Sequence, residues 1–495
     1  EPQPKQPWHE LIEANTLHKC IQYNHYTEPG EEFVIGDEDC LHLNIYTPNT
    51  DTDTVFNVII YIHGGAFMFN HGGSYRPNII LDKDVVLVTL NYRLGPLGFL
   101  STEDNVLPGN NGLKDQLLAL KWIKDNIKYF GGNPDSITLT GMSAGGASAQ
   151  LHTLSPLSQG LFHRGISQSG TALNPWVLVE NSRKKSIQLA THLGCPTTVM
   201  EDMINCLREK PAYDVVATVK HFQPWLYNPF SPFGVVVDKW SSEPFLPEHP
   251  YILLRNGKVQ DLPYIFSNVE AEGLYPAADF IGDPKHLDEI NSRWNELMPH
   301  ILDFHYTLKP QQQFAVLQEI RDFYFRGQPV YKSTFNILVK LISDRLFMVD
   351  IERAARLHSA AIKSPVYYYY FTYRGAHSKS ELRSRSNKNY GAAHADDTTY
   401  VLSSNVDTQT TDDDRKMSKL MVDMWISFAN TSTPQIEDIK WPGITKDTTE
   451  SLPFLLIESP TKLSVKSATF LGNRQFWDTF PFQENKNIVQ LKDEL

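Results

Sequence analysis

Short apolar runs alternate with helical periodicities along the first two-fifths of the chain. Val58–His63 and Val85–Leu90 contain almost only apolar, largely β-branched residues, which is typical of strands covered on both faces of a parallel sheet. Between Asn111 and Phe130, apolar residues recur at helical spacing on one face: Leu113, Leu117, Leu120, Ile123 and Ile127. This alternation predicts an α/β fold with a doubly wound sheet.

The remainder of the chain adds elements to the same sheet. From about residue 175 to 350 the pattern is less regular, with scattered helices and Pro-rich loops that we interpret as excursions from the sheet. Val366–Tyr373 again has the pattern of a strand, and Asp412–Asn430 that of an amphipathic helix with an acidic start. We find no internal repeat or linker, and therefore expect one catalytic domain over residues 1–495.

Charge and hydropathy exclude some partners. The 495 residues carry a formal net charge of −12, which argues against nucleic acid or an anionic membrane surface as the main partner. No apolar run approaches the roughly 18 residues of a membrane-spanning helix. We expect neither partner, and no membrane span.

Four cysteines fall into two short-range pairs, Cys20 with Cys40 and Cys195 with Cys206. Neither pair has the spacing of a zinc or redox site. Four buried thiols in a cytosolic protein are one interpretation. Two disulfides in an oxidising compartment suit the pairing better.

The two ends of the chain bear on its location. The sequence begins at Glu1 without an initiator Met or a signal peptide, as in a fragment or a processed form. It ends in Lys492-Asp493-Glu494-Leu495, the tetrapeptide of an endoplasmic-reticulum retention signal. One glycosylation sequon starts at Asn430. We expect the lumen of the endoplasmic reticulum, with secretion as the alternative.

The segment Gly141-Met142-Ser143-Ala144-Gly145 fits the Gly-x-Ser-x-Gly nucleophile elbow. A strand pattern, Ser136–Thr140, precedes it and a small-residue helix start follows. A serine on such a strained turn stands clear of the sheet, and the following helix points its positive end at the reaction centre. Ser143 is therefore the candidate nucleophile.

An exposed serine needs a base, and the base needs an orienting acid. Among 17 histidines, His394 is the candidate because the Gly and Ala residues around it leave an unencumbered loop. Glu272 follows the strand-like Pro263–Phe266 and precedes a glycine. The order Ser143, Glu272, His394 is the nucleophile–acid–base order of this fold.

The attacked carbonyl also needs N–H donors. A Gly-rich loop directly follows the first apolar strand, and its Gly65 and Ala66, with Ala144 of the elbow, would supply three. A plain glycine turn is the simpler interpretation. A phosphate-binding loop is disfavoured because no Lys-Ser/Thr follows.

Several segments resemble motifs of the type-B carboxylesterases and cholinesterases, and the resemblance covers essentially the whole chain. Glu38–Tyr46 is similar to one signature of that family and Phe130–Gly146 to its elbow signature. Asn91–Gly95 and the segments around Glu272 and His394 also stand where members carry theirs.

The resemblance implies an α/β-hydrolase fold, with a large, mostly parallel mixed sheet and helices on both faces. It implies disulfides Cys20–Cys40 and Cys195–Cys206, a catalytic gorge lined by apolar and aromatic side chains, and no metal or cofactor. Because Glu1–Pro4 matches a segment well inside the usual chain, it also implies that an N-terminal stretch of the domain is missing.

Details point to a subgroup and to a substrate class. Leu297–Asp303 and Ile342–Arg345 are similar to insect esterases of the secreted, broad-specificity branch, which can bind organophosphates or carbamates. Met142 stands where most relatives have Glu, and the loop between Cys20 and Cys40 has no Trp. Both departures disfavour acetylcholine. Trp176 is our candidate for the acyl pocket, and a plain core role is nearly as well supported.

We therefore predict a serine carboxylesterase that hydrolyses neutral lipophilic esters through an acyl-enzyme. A narrow juvenile-hormone or pheromone esterase is the first alternative. A catalytically silent adhesion or binding protein on the same fold is the second, disfavoured because Ser143, Glu272 and His394 are all present.

Overall fold

The strands of the protein form two sheets in a computed structural model that describes residues 1–26, 31–50, 55–445 and 451–485. β1 (Gln22–Tyr23) and β2 (Val34–Ile35) make a small antiparallel pair. The large sheet contains, in chain order, β3 (Leu43–Tyr46), β4 (Phe56–Ile62), β5 (Val86–Leu90), β6 (Gly132–Met142), β7 (Arg164–Gln168), β8 (Tyr264–Val269), β9 (Val366–Phe371), β10 (Leu452–Ser459) and β11 (Lys462–Ala468).

The large sheet is mixed and mostly parallel. Its order across the described chain is β11-β10-β9-β8-β7-β6-β4-β5-β3. Every neighbouring pair from β10 to β5 is parallel, and only the edge strands β11 and β3 run antiparallel to their neighbours. Parallel neighbours need crossover connections, and helices supply most of them here.

The helices of the described residues connect and cover these strands. They are α1 (Gly95–Phe99), α2 (Asn111–Asn126), α3 (Ala144–Leu154), α4 (Ser182–His192), α5 (Met200–Arg208), α6 (Ala212–Ala217), α7 (Pro250–Arg255), α8 (Leu274–Gly282), α9 (Pro284–Ser292), α10 (Trp294–Ile301), α11 (Pro310–Phe325), α12 (Phe335–Ser343), α13 (Val349–Ala361), α14 (Ser380–Ser384), α15 (Asp412–Thr431) and α16 (Arg474–Trp477). Within the described ranges, each of them is too short or too polar to cross a bilayer.

Both faces of the sheet are buried, as alternate residues of β4 demonstrate. Val58, Ile60 and Ile62 belong to one core cluster, together with apolar side chains of α2 and α3. Ile59 and Tyr61 point to the opposite face and pack in a second cluster with α15. Since successive side chains of a strand point to opposite faces, a fully apolar strand requires helices on both sides. The predicted α/β-hydrolase architecture is confirmed.

The predicted element bounds differ from the observed ones mainly at the ends. Strand β6 begins four residues before the predicted Ser136, and the helix predicted over residues 111–130 ends in a 3₁₀ turn, Ile127–Phe130. The hairpin of β10 and β11 at one sheet edge was not predicted. Its second strand is largely exposed, so it lacks the apolar alternation that marks a half-buried strand.

Both disulfides implied by the family resemblance are present. Cys20 is bonded to Cys40 and Cys195 to Cys206, and the described chain contains no free cysteine. The first disulfide closes a loop of 20 residues and the second a loop of 11. In the chain-entropy model, closing loops of this size stabilises a fold by about 3 kcal/mol each.

Candidate active site

Four loops that carry the predicted site residues lie at the carboxyl-terminal edge of the parallel strands. The loop after β4 carries Gly65 and Ala66, the β6–α3 junction carries Ser143, the loop after β8 carries Glu272, and the long connection after β9 carries His394. Sheets of this type bind ligands at that edge. The topology therefore brings together residues as far apart in sequence as Gly65 and His394, which are 329 residues apart.

The junction between β6 and α3 is strained and tightly packed. Ser143 has φ 60° and ψ −124°, a conformation that costs free energy for a residue with a side chain. Its N–H donates to the carbonyl of Gln168 at 2.8 Å. A Cβ on Gly145 would come 2.0 Å from the carbonyl oxygen of Ile62. Glycine there lets the turn pack directly against the end of β4, which holds Ser143 in place.

His394 and Glu272 form a buried pair. Nδ1 of His394 lies 2.5 Å from Oε2 of Glu272, and the two residues are 9% and 0% exposed. This contact places the ring proton on Nδ1 and leaves Nε2 as the acceptor nitrogen. Nε2 is buried and has no hydrogen-bond partner within the described residues. It is therefore free to accept a proton in the cavity that Ser143 and His394 both line.

Backbone contacts fix the orientation of Glu272. Its Oε1 accepts from the N–H of Val269 at 2.9 Å, and the N–H of Ala271 donates to the carbonyl of Ala392 at 2.9 Å. The next residue, Gly273, donates its N–H to Ser343 Oγ at 2.8 Å. The loop after β8 is thus joined to the His394 loop on one side and to α12 on the other.

The loop around His394 is buried and anchored, which corrects our expectation of an unencumbered loop. Asp396 Oδ2 accepts from the N–H of Ala393 at 2.8 Å and from Ser378 Oγ at 2.7 Å. Its Oδ1 accepts from the N–H of Lys379 at 2.8 Å. Burial raises the pKa of Asp396 to about 7. The small residues beside His394 are there because the loop packs tightly, with Ala393 only 2% exposed.

A second buried carboxylate connects this loop to the segment around Ser143. Asp397 Oδ2 accepts from Gln168 Nε2 and from the hydroxyl of Tyr369, each at 2.8 Å. Burial raises its pKa to about 6. Since the carbonyl of Gln168 also accepts from the N–H of Ser143, one residue of β7 contacts both halves of the site.

The loop after β4 presents free N–H groups. Gly65 and Ala66 have φ of 112° and 56°, and a Cβ on the neighbouring Gly64 would lie 2.9 Å from Ser143 Cβ. Within the described residues, no group accepts a hydrogen bond from the N–H of Gly65, Ala66 or Ala144. Unpaired N–H groups close to a serine are the donors that an oxyanion requires.

The family of the chain follows from comparison with known proteins. A family model described as "Carboxylesterase family" matches residues 1–477. The protein belongs to the carboxylesterase family. It is 41% identical to Venom carboxylesterase-6 of Apis mellifera over 98% of this chain and 87% of that one. It is 39% identical to Esterase FE4 of Myzus persicae over 99% and 87%.

The comparison with solved structures agrees with this assignment. The fold is similar to that of juvenile hormone esterase from Manduca sexta, solved with OTFP covalently attached, with a TM-score of 0.80. The match covers 99% of this chain and 91% of that one at 26% identity. The predicted enzyme class, a carboxylesterase, is confirmed.

The cavity of this carboxylesterase combines an apolar floor with a charged mouth. Its volume is about 1370 Å³. Uncharged residues that line the cavity, all buried except the half-buried Gly65, form what we call the floor: Gly65, Ala66, Met142, Leu274 and Ala278. Exposed residues that line the cavity, together with the half-buried Arg383, form the mouth: Leu17, Lys19, Arg76, His377, Leu382, Arg383, Arg385, Asn387, Asn405 and Asp407. The floor has the implied apolar lining, and Tyr26, Tyr227 and Tyr275 supply aromatic lining, whereas most residues of the mouth are polar or charged.

Trp176 lies behind the cavity. It is 1% exposed, its indole N–H donates to the carbonyl of Leu346 at 2.9 Å, and it is not among the lining residues. Its ring centroid lies 5.9 Å from that of Phe347, which in turn lies 4.7 Å from His394. A role in the acyl pocket stays a prediction, because Phe347 contacts both Trp176 and His394 and lies between them.

The remaining predicted sites lie away from the cavity. Asn430 is exposed near the end of α15, and its Oδ1 accepts from Asn57 Nδ2 at 2.6 Å. The retention tetrapeptide Lys492–Leu495 lies outside the described residues.

Sequence analysis missed Gln168, Asp396 and Asp397 as parts of the site. The two aspartates follow His394 and Ala395 directly in the sequence, so their position beside the candidate base was visible. Gln168 carries no such signal. Only the pairing of β6 with β7 brings it to Ser143.

Proposed function

We propose that the protein hydrolyses lipophilic carboxylic esters by a two-step acyl transfer in which Ser143 is the nucleophile, His394 the base and Glu272 the orienting acid. The observation that carries this proposal is the 2.5 Å contact between Glu272 and His394 Nδ1. It leaves Nε2 unpartnered among the described residues, in a cavity that Ser143 also lines.

The chemistry follows from those positions. Ser143 Oγ attacks the ester carbonyl while His394 Nε2 takes its proton, and buried Glu272 stabilises the imidazolium. The N–H groups of Gly65, Ala66 and Ala144 donate to the oxyanion. His394 then returns the proton to the departing alcohol. Water, deprotonated by the same base, releases the acid from Ser143.

The floor of the cavity supports a substrate that is apolar at its reacting end. Met142, which precedes Ser143 in the chain, and Leu274 both line it, and none of the floor residues bears a charge that would hold a cation at the carbonyl. Organophosphates and carbamates, which react with activated serines, would then act as covalent inhibitors.

A narrower activity, hydrolysis of a juvenile hormone, is the second candidate. The chain is 34% identical to a juvenile hormone esterase of Tribolium castaneum over 90% of its length. The large cavity favours broad specificity. A steep dependence of kcat/KM on acyl and alcohol chain length would favour the narrow activity, and a flat one the broad activity.

We also propose that the enzyme resides in the secretory pathway. The two disulfides, the exposed Asn430 and the terminal Lys492-Asp493-Glu494-Leu495 support this location. Deletion of the tetrapeptide should release the protein into the medium. An unchanged distribution would contradict retention by that signal.

Labelling with a dialkyl fluorophosphate, followed by intact-mass and peptide analysis, tests the mechanism. We expect a single adduct on Ser143, formed as its oxygen bonds to phosphorus and fluoride leaves, and no adduct in Ser143→Ala. A folded wild-type protein that remains unlabelled would refute the proposed mechanism.

A further inference from the structure

We propose that the preferred substrates of this cavity are amphipathic esters that carry a carboxylate at the end remote from the ester, bound at the mouth by Arg383. This inference rests on the proposed esterase function and extends it from the reacting end of the substrate to its far end. It depends on an imbalance between acidic and basic side chains in the cavity wall.

The acidic side chains of the wall are already engaged. Glu381 Oε1 lies 2.5 Å from Arg374 Nη2 and also accepts a hydrogen bond from the N–H of Ser378 at 3.2 Å. Asp279 accepts a hydrogen bond from the hydroxyl of Tyr227. Asp407 accepts from the N–H of Gln409 at 2.8 Å.

The basic side chains of the wall are mostly not engaged. In the described parts of the chain, no carboxylate lies within 4.0 Å of the side-chain nitrogens of Lys19, Arg76, Arg383 or Arg385, all of which line the cavity. Arg383 and Arg385 act on Asp279 only through longer-range attraction, which opposes the burial that raises the pKa of Asp279. Burial, followed by the charges of Lys19 and Arg76, lowers the pKa of His71 to about 4. The wall thus has a surplus of positive charge in a chain whose net charge is −12.

Arg383 is the cation best placed to bind a substrate. It is half-buried, and its guanidinium carbon lies 3.7 Å from the centroid of the Tyr26 ring. Stacking holds a guanidinium by its face and leaves the N–H groups at its edge available to an anion. Lys379, by contrast, already donates to Ser404 and Asn405.

A continuous aromatic wall joins Arg383 to the base. Tyr26 lies edge-on to Tyr227 at 5.5 Å, Tyr227 stacks on Tyr275 at 6.0 Å, and Tyr275 stacks on His394 at 5.5 Å. All these rings line the cavity. An apolar chain that follows this wall from the ester carbonyl would end at the guanidinium, where a carboxylate forms charge-assisted hydrogen bonds.

Two pairs of esters, each matched in chain length, test this inference with the purified full-length enzyme. Monomethyl sebacate against methyl decanoate places the carboxylate on the acyl side, and 8-acetoxyoctanoate against octyl acetate places it on the alcohol side. Hydrolysis is followed by chromatography of the products. We expect kcat/KM to be about tenfold higher for the carboxylate member of one pair, and the pair that responds identifies the side that faces Arg383.

Variants then assign the preference to the residue. Arg383→Gln should lower the preference ratio about tenfold. Arg208→Gln, at an exposed arginine of α5 that is not among the residues lining the cavity, should leave the ratio unchanged. Equal kcat/KM for the charged and uncharged esters of both pairs would overturn the inference, and so would an equal loss of kcat/KM for both members of a pair in Arg383→Gln. Either result would leave the esterase function intact. Absence of hydrolysis of all four esters would instead overturn the proposed function and this inference with it.

Discussion

Ser143 and His394, the proposed nucleophile and base, are held in place by different means. Ser143 is fixed by backbone geometry, through a strained φ and a glycine at residue 145 that packs directly on β4. His394 is fixed by side chains, since Glu272 and Asp396 bind its ring and its loop. The position of Ser143 therefore depends on close backbone packing and that of His394 on side-chain hydrogen bonds. Mutations on the two sides should have different effects.

Removal of the reacting groups should give the largest effect. Ser143→Ala, His394→Ala and the double variant should each lower kcat by about 10⁶-fold, because residues that act as a unit do not contribute additively. Single-turnover assays with a p-nitrophenyl ester and circular dichroism for folding would measure this. Additive losses in the double variant would mean that the two groups do not act in one step.

Loss of the charge on Glu272 should have the next largest effect. Glu272→Gln preserves the shape but removes the carboxylate that stabilises the imidazolium, so kcat should fall by about 10⁴-fold. Glu270→Gln is a matched control, because this carboxylate lies two residues earlier in the same loop and is exposed. A similar loss in both variants would show that the loop as a whole matters, rather than the contact with His394.

Substitution of Gly145, close to Ser143, should lower the free energy of unfolding and not only the activity. The Cβ of Gly145→Ala would meet the Ile62 carbonyl oxygen at 2.0 Å, which we expect to cost about 3 kcal/mol or more in the free energy of unfolding. Gly160 has φ 77° but nothing within 4 Å of a Cβ. Gly160→Ala should therefore cost only about 1 kcal/mol. Urea denaturation of the two variants measures both losses in the free energy of unfolding. Equal losses would contradict a steric origin of the effect at residue 145.

In the His394 loop, Asp396 should instead make the free energy of unfolding depend on pH. Folding raises the pKa of Asp396 from 3.8 to about 7, so between these values the native state retains a proton that the unfolded state has lost. The contribution of this group to the free energy of unfolding therefore falls as pH rises from about 4 to about 7. Asp396→Asn cannot titrate. The stability of the wild type relative to this variant should decline across that window by about 1 kcal/mol or more. A difference that stays constant with pH would refute the raised pKa.

The same contrast explains what could be predicted from the sequence. The β6–α3 junction is encoded within a few consecutive residues, so Ser143 and the strand before it were recognisable. Gln168 and Tyr369, which hold Asp397, come from other strands and acquire their role only through strand pairing and packing. The charged mouth was missed for a similar reason: Lys19, Arg76 and Arg383 are unremarkable alone and meet only in the fold.

The mouth of the cavity is built from loops and the short helix α14, all outside the sheet, whereas Ser143 sits at a junction that the sheet itself constrains. Exposed residues such as Arg76 and Arg385 add little to the core, so they can be exchanged without loss of folding. After a gene duplication, one copy could acquire a new substrate range through such exchanges alone. Substitutions at the mouth can therefore change which substrates are chosen without changing the chemistry at Ser143.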